Sequence, residues 1–475
     1  MKEKLFANFF YQATYQVLIV LLPIISVPIV SKALGPPGIG TYNYVTSIVN
    51  YFVLVAGLGL ANYAVREISF VRDNKEDLSK KFWEIQIFNL IFSVVVFLFY
   101  LIFSLYSRRS IIFLAQAPIV FSTILDITWF FQGIEDFKKI TMTNAIIKIA
   151  TFILIVGYIK QPSNLLRYVF IQSISTLASS AIFWIHIRNK VFFVRVTKKE
   201  IWGHFKPALN FFILKISATL FTNFNKTLLG IHSTMSVVGL FSNSLTLIIM
   251  GSSLLNTLNT VLLPRMSALQ KNKDEKKMIQ LLQKTIHFQF FLTIPLMFGI
   301  IALTPKMITW FFGAAFSDMK MLVVILTPIV VFQSLHQGIA NQFLVPRDEM
   351  RAYNISMIFG AAINIFLGLV LIPKIHEYGA AISFLTGQLV LAISRSIVLI
   401  RTSMFRFDYR KIGTYLSSGL LMLWVITICS SSLPGNIITT TFQSILGLIF
   451  YMGITAIFGT NPIVNIIKDK RGILR

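Results

Sequence analysis

The sequence has very few of the residues that covalent cross-links, metal sites and catalytic centres require. Among 475 residues there is one cysteine, so an intramolecular disulfide and a CxxC metal site are both excluded. Only 18 residues are acidic, and there is no Walker motif. The six histidines are scattered, at His186, His204, His232, His287, His336 and His376. A membrane-embedded polymerase or glycosyltransferase would need paired carboxylates, a His cluster or a large loop for the acceptor sugar, so that class of enzyme is disfavoured and no cofactor or metal is expected.

What the sequence has instead is apolar surface. Hydrophobic residues make up 55% of the chain, 44 residues are phenylalanine, and the mean hydropathy is +0.74. A soluble core of this size could not bury so much apolar surface, so the composition predicts a multi-pass membrane protein. The apolar stretch that follows "MKEK" and runs to Val30 is too long for a signal-peptide core, and we interpret it as the first membrane span.

Fourteen segments are long enough, at about 20 residues each, to cross a hydrocarbon layer of about 30 Å. They lie near 9–31, 42–64, 83–106, 110–131, 140–159, 165–187, 206–230, 237–263, 284–303, 319–338, 353–373, 378–401, 412–433 and 437–459. If both termini are cytoplasmic, 31 of the 43 Lys and Arg fall on the cytoplasmic side, 8 outside and 4 within spans. One missed span would invert every later loop, so this bias supports fourteen spans.

The net charge of +25 comes from these same loops. Their basic residues are explained by topology and by attraction to anionic lipid headgroups, so anionic membrane lipids are expected partners and nucleic acid is not.

A glycine-rich loop, "SKALGPPGIGTYNY" at 31–44, connects the first two predicted spans. It lacks the Lys-Ser/Thr of a phosphate-binding loop and follows no strand, so we predict a sharp turn that lets two helices pack closely. Its features return later in the chain: from Gly40 to Arg66 the offset is a constant 199 residues, which pairs Gly40 with Gly239 and Arg66 with Arg265. "FFQGI" at 130–134 is likewise echoed by "LHQGI" at 335–339.

The order of these matches predicts a duplicated six-helix lobe, in the parallel-repeat arrangement of several transporters. The predicted fold is therefore all-α, with two pseudo-symmetric six-helix lobes around a central cavity and two extra C-terminal helices. The predicted divisions are an N-lobe at 1–187, a cytoplasmic linker at 188–206, a C-lobe at 207–401, and the last two spans with a cytoplasmic tail at 402–475.

Several motifs resemble those of one transporter family. "LGPPGIGTYNYVTSIVNYFVLVAGLGLANYAVREIS", which contains Gly35, Gly40, Tyr42 and Arg66, is similar to the first-to-second-helix signature of the Wzx-type polysaccharide and oligosaccharide repeat-unit flippases, the PST family of the MOP exporter superfamily. "LLGIHSTMSVVGLFSN", "LLPRMSALQ" and "FFGAAF" resemble its second-lobe hallmarks, with Gly239 and Arg265 among them. The resemblance covers roughly residues 5–460.

This resemblance implies a function and a location. A flippase of this kind moves an undecaprenyl-diphosphate-linked oligosaccharide repeat unit across the bacterial cytoplasmic membrane by alternating access, for capsule or surface polysaccharide synthesis, and polysaccharide assembly proteins are implied partners. A MATE-like drug or metabolite antiporter, the peptidoglycan-precursor flippase and a membrane-embedded polymerase remain alternatives. The antiporter would be expected to use a buried acid in its first lobe, where Asp126 is the one candidate and is shallow, and the peptidoglycan-precursor flippase would be expected to carry charged residues in the first span, which has none.

Charged side chains at membrane depth are the main candidates for a site, because they are costly there unless they have a function. The bases within spans are Lys148, Lys215, Lys226 and Arg395, and Asp126 is the one acid well inside a span and thus the candidate for ion coupling. Lys215, Thr219, Thr222 and Lys226 share one helical face. Polar residues on neighbouring predicted spans extend this set: Gln12, Gln16, Asn50 and Asn256.

These residues predict a polar, positively charged cavity. Lys148 and Lys215, deepest in the predicted core, are expected to hold a diphosphate, while amides and hydroxyls bind sugars and the polyprenyl tail stays in lipid. Hydrogen bonding between helices is the competing explanation for each asparagine or glutamine.

Overall fold

The computed structural model describes the chain from residue 2 to residue 464, except for the side chains of residues 2–17, 20, 210, 213–214, 254–257 and 260. All regular structure in the described chain is helical, which confirms the predicted fold class. Two compact units divide between Gly239 and Leu240, and α10 contains the division point. Unit 1 contains α1 (Lys2–Gly57), α2 (Leu60–Val71), α3 (Lys75–Tyr106), α4 (Ser110–Leu125), α5 (Thr128–Gly133), α6 (Phe137–Tyr158), α7 (Leu165–Ile187), α8 (Lys198–Gly203), α9 (Phe205–His232) and the first turn of α10 (Met235–Lys271).

Unit 2 continues from the rest of α10. It contains α11 (Glu275–Phe311), α12 (Met319–Leu326), α13 (Ile329–Ile339), a π-helical turn (Ala340–Leu344), α14 (Met350–Thr402), α15 (Tyr409–Cys429) and α16 (Ile437–Ile457). Short 3₁₀ turns stand at Pro162–Asn164 in unit 1 and Ala314–Phe316 in unit 2.

Two of these helices are each long enough for two membrane passes. At 1.5 Å per residue, the 56 residues of α1 would extend about 84 Å if straight, far more than a bilayer of about 30 Å. Gly35, with φ 64° and ψ 176°, breaks α1 between the first two predicted spans. In α14, Ile375 and His376 break the helix in the same way, and His376 has φ 45° and ψ −118°. Both breaks fall where the sequence predicts a connection between spans.

Ten helical segments of the described chain are long and apolar enough to cross a bilayer. The fourteen predicted spans map onto the two halves of α1, onto α3, α4, α6, α7, α9, α10 and α11, onto α12 with α13, onto the two halves of α14, and onto α15 and α16. The protein is therefore a multi-pass membrane protein.

The predicted fourth span, at 110–131, differs from the structure because it is two helices. The chain leaves helical geometry at Asp126 and Ile127, between α4 and α5. The side chains of Gln86, Asn89, Trp129 and Trp184 donate hydrogen bonds of 2.8–2.9 Å to the carbonyls of Ile124, Thr123, Asp126 and Leu125. A break inside a membrane is tolerated when the freed backbone groups are satisfied in this way.

Apolar side chains separate into a packed interior and an outer surface. In unit 1 the interior is built on aromatic rings such as Phe82, Phe130 and Phe131, all at most 1% exposed. Elsewhere large apolar side chains are open to the surroundings, for example Phe99 on α3 and Ile449 on α16, at 64% and 66%. In a chain with fourteen spans this surface is the part that lipid covers.

The predicted lobe boundaries do not coincide with the division between the two compact units. The division after Gly239 assigns α9 to unit 1, where it packs against α1. The predicted boundaries at 187 and 207 describe an internal repeat of sequence, and they stay a prediction.

Candidate functional site

The glycine-rich loop serves a close approach between backbones in unit 1. Gly35 has the left-handed φ of the turn itself. A Cβ atom built on Gly40 would lie 1.6 Å from the carbonyl oxygen of Met235, and one built on Gly239 would lie 2.0 Å from the carbonyl oxygen of Pro36. The two glycines that the 199-residue offset pairs therefore lie against each other. Their backbones are so close that neither position has room for a side chain.

The other motif residues also make structural contacts. The ring of Tyr42 packs edge-on against Tyr168 of α7, with ring centroids 4.9 Å apart. The guanidinium of Arg66 lies over the rings of Tyr63 and Phe211, at 5.6 and 5.7 Å, and so ties α2 to α9. Arg66 also forms an ion pair of 3.0 Å with Glu67.

Its repeat partner, Arg265, is exposed on α10 in unit 2. The motif residues Gly40, Tyr42, Arg66 and Gly239 thus all make structural contacts within unit 1.

A line of polar contacts, which we name the α1–α9 seam, joins the second half of α1 to α9. Ser47 Oγ and Tyr51 Oη lie 2.7 and 3.1 Å from Thr227 Oγ1. One turn before Thr227 in α9, Asn223 Oδ1 accepts a hydrogen bond of 3.1 Å from Asn50 Nδ2. Asn50, predicted to line a cavity, is thus engaged in a hydrogen bond between helices, the competing explanation for such residues, and its place in a cavity stays a prediction.

Lys226 is a second predicted site residue that belongs to the seam. Its Nζ donates to Asn43 Oδ1 at 3.3 Å, and the side chain is half-buried. Within the described residues its hydrogen-bond partner is this neutral amide, and it forms no ion pair. A cation held this way keeps most of its capacity to attract an anion, because an amide oxygen removes none of its charge.

Lys148 and Lys215, the two lysines expected to hold the diphosphate, are both exposed and have no hydrogen-bond or ion-pair partner in the part of the chain that the structure describes. Lys148 stands in the middle of α6, and Lys215 stands ten residues into α9, on the face that also carries Thr222. The helix α1 packs against both α6 and α9. Unit 1 therefore presents two uncommitted cations on two helices that share a neighbour.

Three predicted residues, Gln12, Gln16 and Asn256, have side chains outside the described residues. Asn259, one turn after Asn256, lies in unit 2 in a network of buried amides. Its Oδ1 accepts from Gln289 Nε2 at 2.6 Å and from Gln342 Nε2 at 2.8 Å. Gln342 belongs to the π-helical turn, a geometry that often re-aims a side chain. This amide is used for packing between helices.

Arg395 is buried in unit 2 and is only 1% exposed. Its Nε donates to Ser356 Oγ at 3.0 Å, its Nη1 donates to the carbonyl of His336 at 3.0 Å, and its guanidinium lies 4.5 Å from the centre of the Tyr353 ring. His336 Nε2 is in turn 2.8 Å from Gln388 Oε1. The guanidinium is committed to protein groups in this conformation, so it offers no open face to a substrate.

The sequence predicts Asp126 as a coupling acid inside a continuous spanning helix, but the structure does not place it in one. It occupies the break between α4 and α5, where its Oδ1 accepts from the backbone N–H and the hydroxyl of Thr128, at 2.9 and 2.6 Å. This is the geometry of an Asx turn, in which an aspartate accepts from the backbone two residues on; it stands just before α5, whose N-cap is Ile127. The carboxylate therefore has a structural role in α5, which weakens the case for an ion-coupled antiporter.

A buried polar chain in unit 1 was not anticipated from the sequence. Tyr63 Oη is 2.7 Å from His204 Nδ1, and His204 Nε2 is 3.2 Å from Glu84 Oε2, which also pairs with Lys81. The three residues come from α2, α3 and the start of α9, separated by 120 and 141 positions. No local pattern could have signalled that they meet.

Comparison with known proteins settles the family. A family model described as "Polysaccharide biosynthesis protein" matches residues 5–270, more than half of the chain. The chain belongs to the polysaccharide biosynthesis protein family. This confirms the family resemblance predicted from the glycine-rich loop and its neighbouring motifs.

Relatives of this polysaccharide biosynthesis protein are named as transporters. A protein of Escherichia coli (strain K12) named as an O-antigen transporter is 21% identical over 412 residues, which cover 85% of this chain and 98% of the relative. A Haloferax volcanii protein named as a low-salt glycan biosynthesis flippase is 23% identical over 235 residues, about half of each chain.

Solved structures show the same fold for this polysaccharide biosynthesis protein. The lipid II flippase MurJ, in an inward closed conformation, has a TM-score of 0.77 at 16% identity and covers 95% of this chain and 98% of its own. An inward-facing multidrug resistance MATE family transporter of the MOP superfamily has a TM-score of 0.57 at 12% identity, over 89% of this chain and 99% of its own. At these identities the likeness concerns the fold alone.

Proposed function

We propose that the protein is a flippase that moves an undecaprenyl-diphosphate-linked oligosaccharide repeat unit across the bacterial cytoplasmic membrane. Family membership supports this, together with relatives whose names describe an O-antigen transporter and a glycan biosynthesis flippase. The structural observation that carries the proposal is the pair of exposed lysines without partners, Lys148 in the middle of α6 and Lys215 on α9.

The physical argument begins with the cost of charge in a membrane. A lysine in the middle of a spanning helix is tolerated when it reaches water, an anion or the bilayer surface. Lys148 is ten residues from the nearer end of α6, about 15 Å along the axis, which is beyond easy reach of the surface. In our proposal both lysines therefore face an aqueous cavity, where a diphosphate is the anion that they bind.

A lipid-linked substrate has three parts, and each would meet a different surface. The diphosphate binds the ammonium groups of Lys148 and Lys215 through charge-assisted hydrogen bonds. The sugars hydrogen-bond to hydroxyls and amides, for which Thr222 is an exposed example on the same face as Lys215. The polyprenyl tail remains in the hydrocarbon layer, so the protein needs to enclose the headgroup alone.

Orientation follows from the distribution of charge. We place both termini and the basic loops, such as 66–81 and 188–206, on the cytoplasmic side, where they contact anionic lipids. Loading from the cytoplasm and release outside then requires alternation between two conformations. Proteins of polysaccharide assembly would receive the released unit.

The proposal is tested by reconstituting the full-length protein in liposomes that contain a fluorescent polyprenyl-diphosphate oligosaccharide in both leaflets. A reductant added outside quenches the outer leaflet at once, and the protein should then allow quenching of the remaining half. The same polyprenyl chain without its diphosphate headgroup, carrying the fluorophore directly, should not be moved faster than in protein-free liposomes. Equal movement of both lipids, or movement of a cationic dye but of neither lipid, would refute the proposal.

A further inference from the structure

Unit 2 contains a polar cavity that the proposed transport site does not include. It has a volume of about 900 Å³ and lies where the first turns of α11, the first turns of α15 and the chain just after α16 come together. A volume of this size accepts a small organic molecule or a lipid headgroup.

The lining of this cavity is rich in positive charge. It includes three bases, Lys284, Arg406 and Lys411, and one carboxylate, Asp408. Leaving His287 neutral, the lining carries a net charge of +2. An empty space with this charge favours an anionic occupant.

Most of the charge is not used by the protein. Asp408 Oδ2 pairs with Lys411 Nζ at 3.0 Å, so those two charges offset each other. Lys284 and Arg406 are exposed, and within the described residues neither side chain makes a hydrogen bond or ion pair. Two free cations thus remain on the cavity wall, one from α11 and one from the segment before α15.

His287 also lines the cavity. Its Nε2 lies 3.2 Å from the backbone N–H of Asp408 and accepts from it. A neutral imidazole that accepts at Nε2 carries its proton on Nδ1. That Nδ1 is buried and has no hydrogen-bond partner in the described structure, although a buried donor is costly to leave unpaired.

Asp408 fixes the geometry around these groups. It caps α15 by accepting from the backbone N–H of Lys411 at 3.1 Å. Burial raises the pKa of Asp408, but the hydrogen bonds and the charge of Lys411 lower it by more, so the pKa lies below its usual value. The carboxylate is therefore ionised at neutral pH and limits the positive potential of the cavity.

The remaining wall is partly apolar. Phe288 and Pro462 line it, and so does Tyr415, whose hydroxyl is used in a hydrogen bond to the carbonyl of Thr460 at 3.0 Å. The site therefore combines free cations with an apolar surface, which suits an ester of phosphate better than a bare ion.

We propose that this cavity binds a phosphate ester, with the phosphate between Lys284 and Arg406 and its organic part against Phe288 and Pro462. A phospholipid headgroup and a soluble phosphate ester share this chemistry. The site is separate from Lys148 and Lys215, so it stands or falls independently of the proposed transport function.

The test is a binding titration on the purified full-length protein in a neutral detergent, with native mass spectrometry as the readout of binding. The probes are dioctanoyl phosphatidylglycerol, dioctanoyl phosphatidylcholine, glycerol 1-phosphate and inorganic phosphate. We expect the anionic ester probes to bind more tightly than inorganic phosphate. If phosphatidylglycerol binds and glycerol 1-phosphate does not, the occupant is a lipid; the reverse identifies a soluble ester.

Matched variants locate the site. The double variant K284Q/R406Q should weaken binding of the best probe by about tenfold or more, because each charge-assisted bond contributes about 1.5 kcal/mol or more. The control is R401Q/R410Q, which removes the same charge from exposed positions outside the lining. Equal weakening in both double variants would show diffuse surface attraction and overturn the proposal, as would failure of every anionic probe to bind.

A third variant is expected to tighten binding, a result that a misfolded protein could not give. Asp408→Asn keeps an oxygen that can cap α15, but frees Lys411 from its ion pair. Binding should become several-fold tighter, and it should lose that gain when combined with K284Q/R406Q. Unchanged or weaker binding in Asp408→Asn would contradict an anion at this position.

Discussion

Gly40 and Gly239 contact each other through their backbones: a Cβ atom on Gly40 would lie 2.8 Å from the amide nitrogen of Gly239. The two positions are paired by the 199-residue offset of the internal repeat. Two glycines that the predicted repeat pairs thus supply a close approach between α1 and the first turn of α10. This explains the glycines of the loop without any role in binding phosphate.

Substitution at this contact should be severe. Gly40→Ala places a methyl group against backbone atoms that cannot move aside, so we expect a loss of folding free energy of about 2 kcal/mol or more, or failure to fold. Thermal unfolding of the purified protein in detergent measures this. Gly157→Ala is the control, because a Cβ atom there meets nothing within 4 Å. An equal effect of the two substitutions would show that the close approach is unimportant.

Asp126 should be replaceable by asparagine. Asp126→Asn keeps the oxygen that accepts from Thr128, so the start of α5 is preserved and transport should stay within about twofold of the native rate. Asp126→Ala removes the acceptor and should lower stability by about 1 kcal/mol. If transport were instead abolished in Asp126→Asn while the protein stayed folded, the carboxylate would be required for ion coupling, and a purely structural role for Asp126 would be wrong.

The buried guanidinium of Arg395 should matter for stability. Arg395→Ala leaves the carbonyl of His336 and the hydroxyl of Ser356 without their donor, at an expected cost of about 2–4 kcal/mol. Arg395→Lys should recover only part of this, because one ammonium cannot reproduce a planar guanidinium that donates from Nε and Nη1. Unfolding midpoints relative to the exposed control Arg401→Ala test the prediction; full rescue by lysine would contradict it.

The α1–α9 seam should contribute through pairs of side chains. In a double-mutant cycle, Asn50→Ala and Asn223→Ala should show a coupling energy of about 0.5–1.5 kcal/mol, typical of polar pairs in membranes. The measurement is reversible unfolding of the four proteins. The Ser47–Thr227 pair offers a second cycle in the same seam, and additive effects in both cycles would mean that these pairs are not energetically coupled.

Local signals in the sequence predicted much of this fold. Apolar segments of the right length predicted the helices, and the loop at 31–44 predicted the turn at Gly35, because these depend on neighbouring residues. The break at Asp126 was missed, since the donors that satisfy its freed carbonyls, among them Gln86 and Trp184, come from α3 and α7. The Tyr63–His204–Glu84 chain was missed for the same reason: tertiary packing creates it.

The sequence predicts which charged residues lie in the spanning helices, but not which residues they contact. Hydropathy alone identifies Lys148 and Lys215 as unusual, since both interrupt apolar helices. The commitment of Arg395 to His336 and Ser356 could not be inferred, because these partners are 59 and 39 positions away. Burial and hydrogen bonding therefore separate a structural cation from the two free ones.

The most direct test concerns the two free lysines. In liposomes containing a fluorescent polyprenyl-diphosphate oligosaccharide, the rate of transbilayer movement is measured for Lys148→Gln, Lys215→Gln and Lys215→Arg. Lys206→Gln is the matched control, an exposed lysine at the start of the same helix as Lys215. We predict at least about a tenfold loss for each glutamine variant, from the loss of a charge-assisted bond, with most activity kept in Lys215→Arg and Lys206→Gln. Native rates in folded Lys148→Gln and Lys215→Gln would contradict the account.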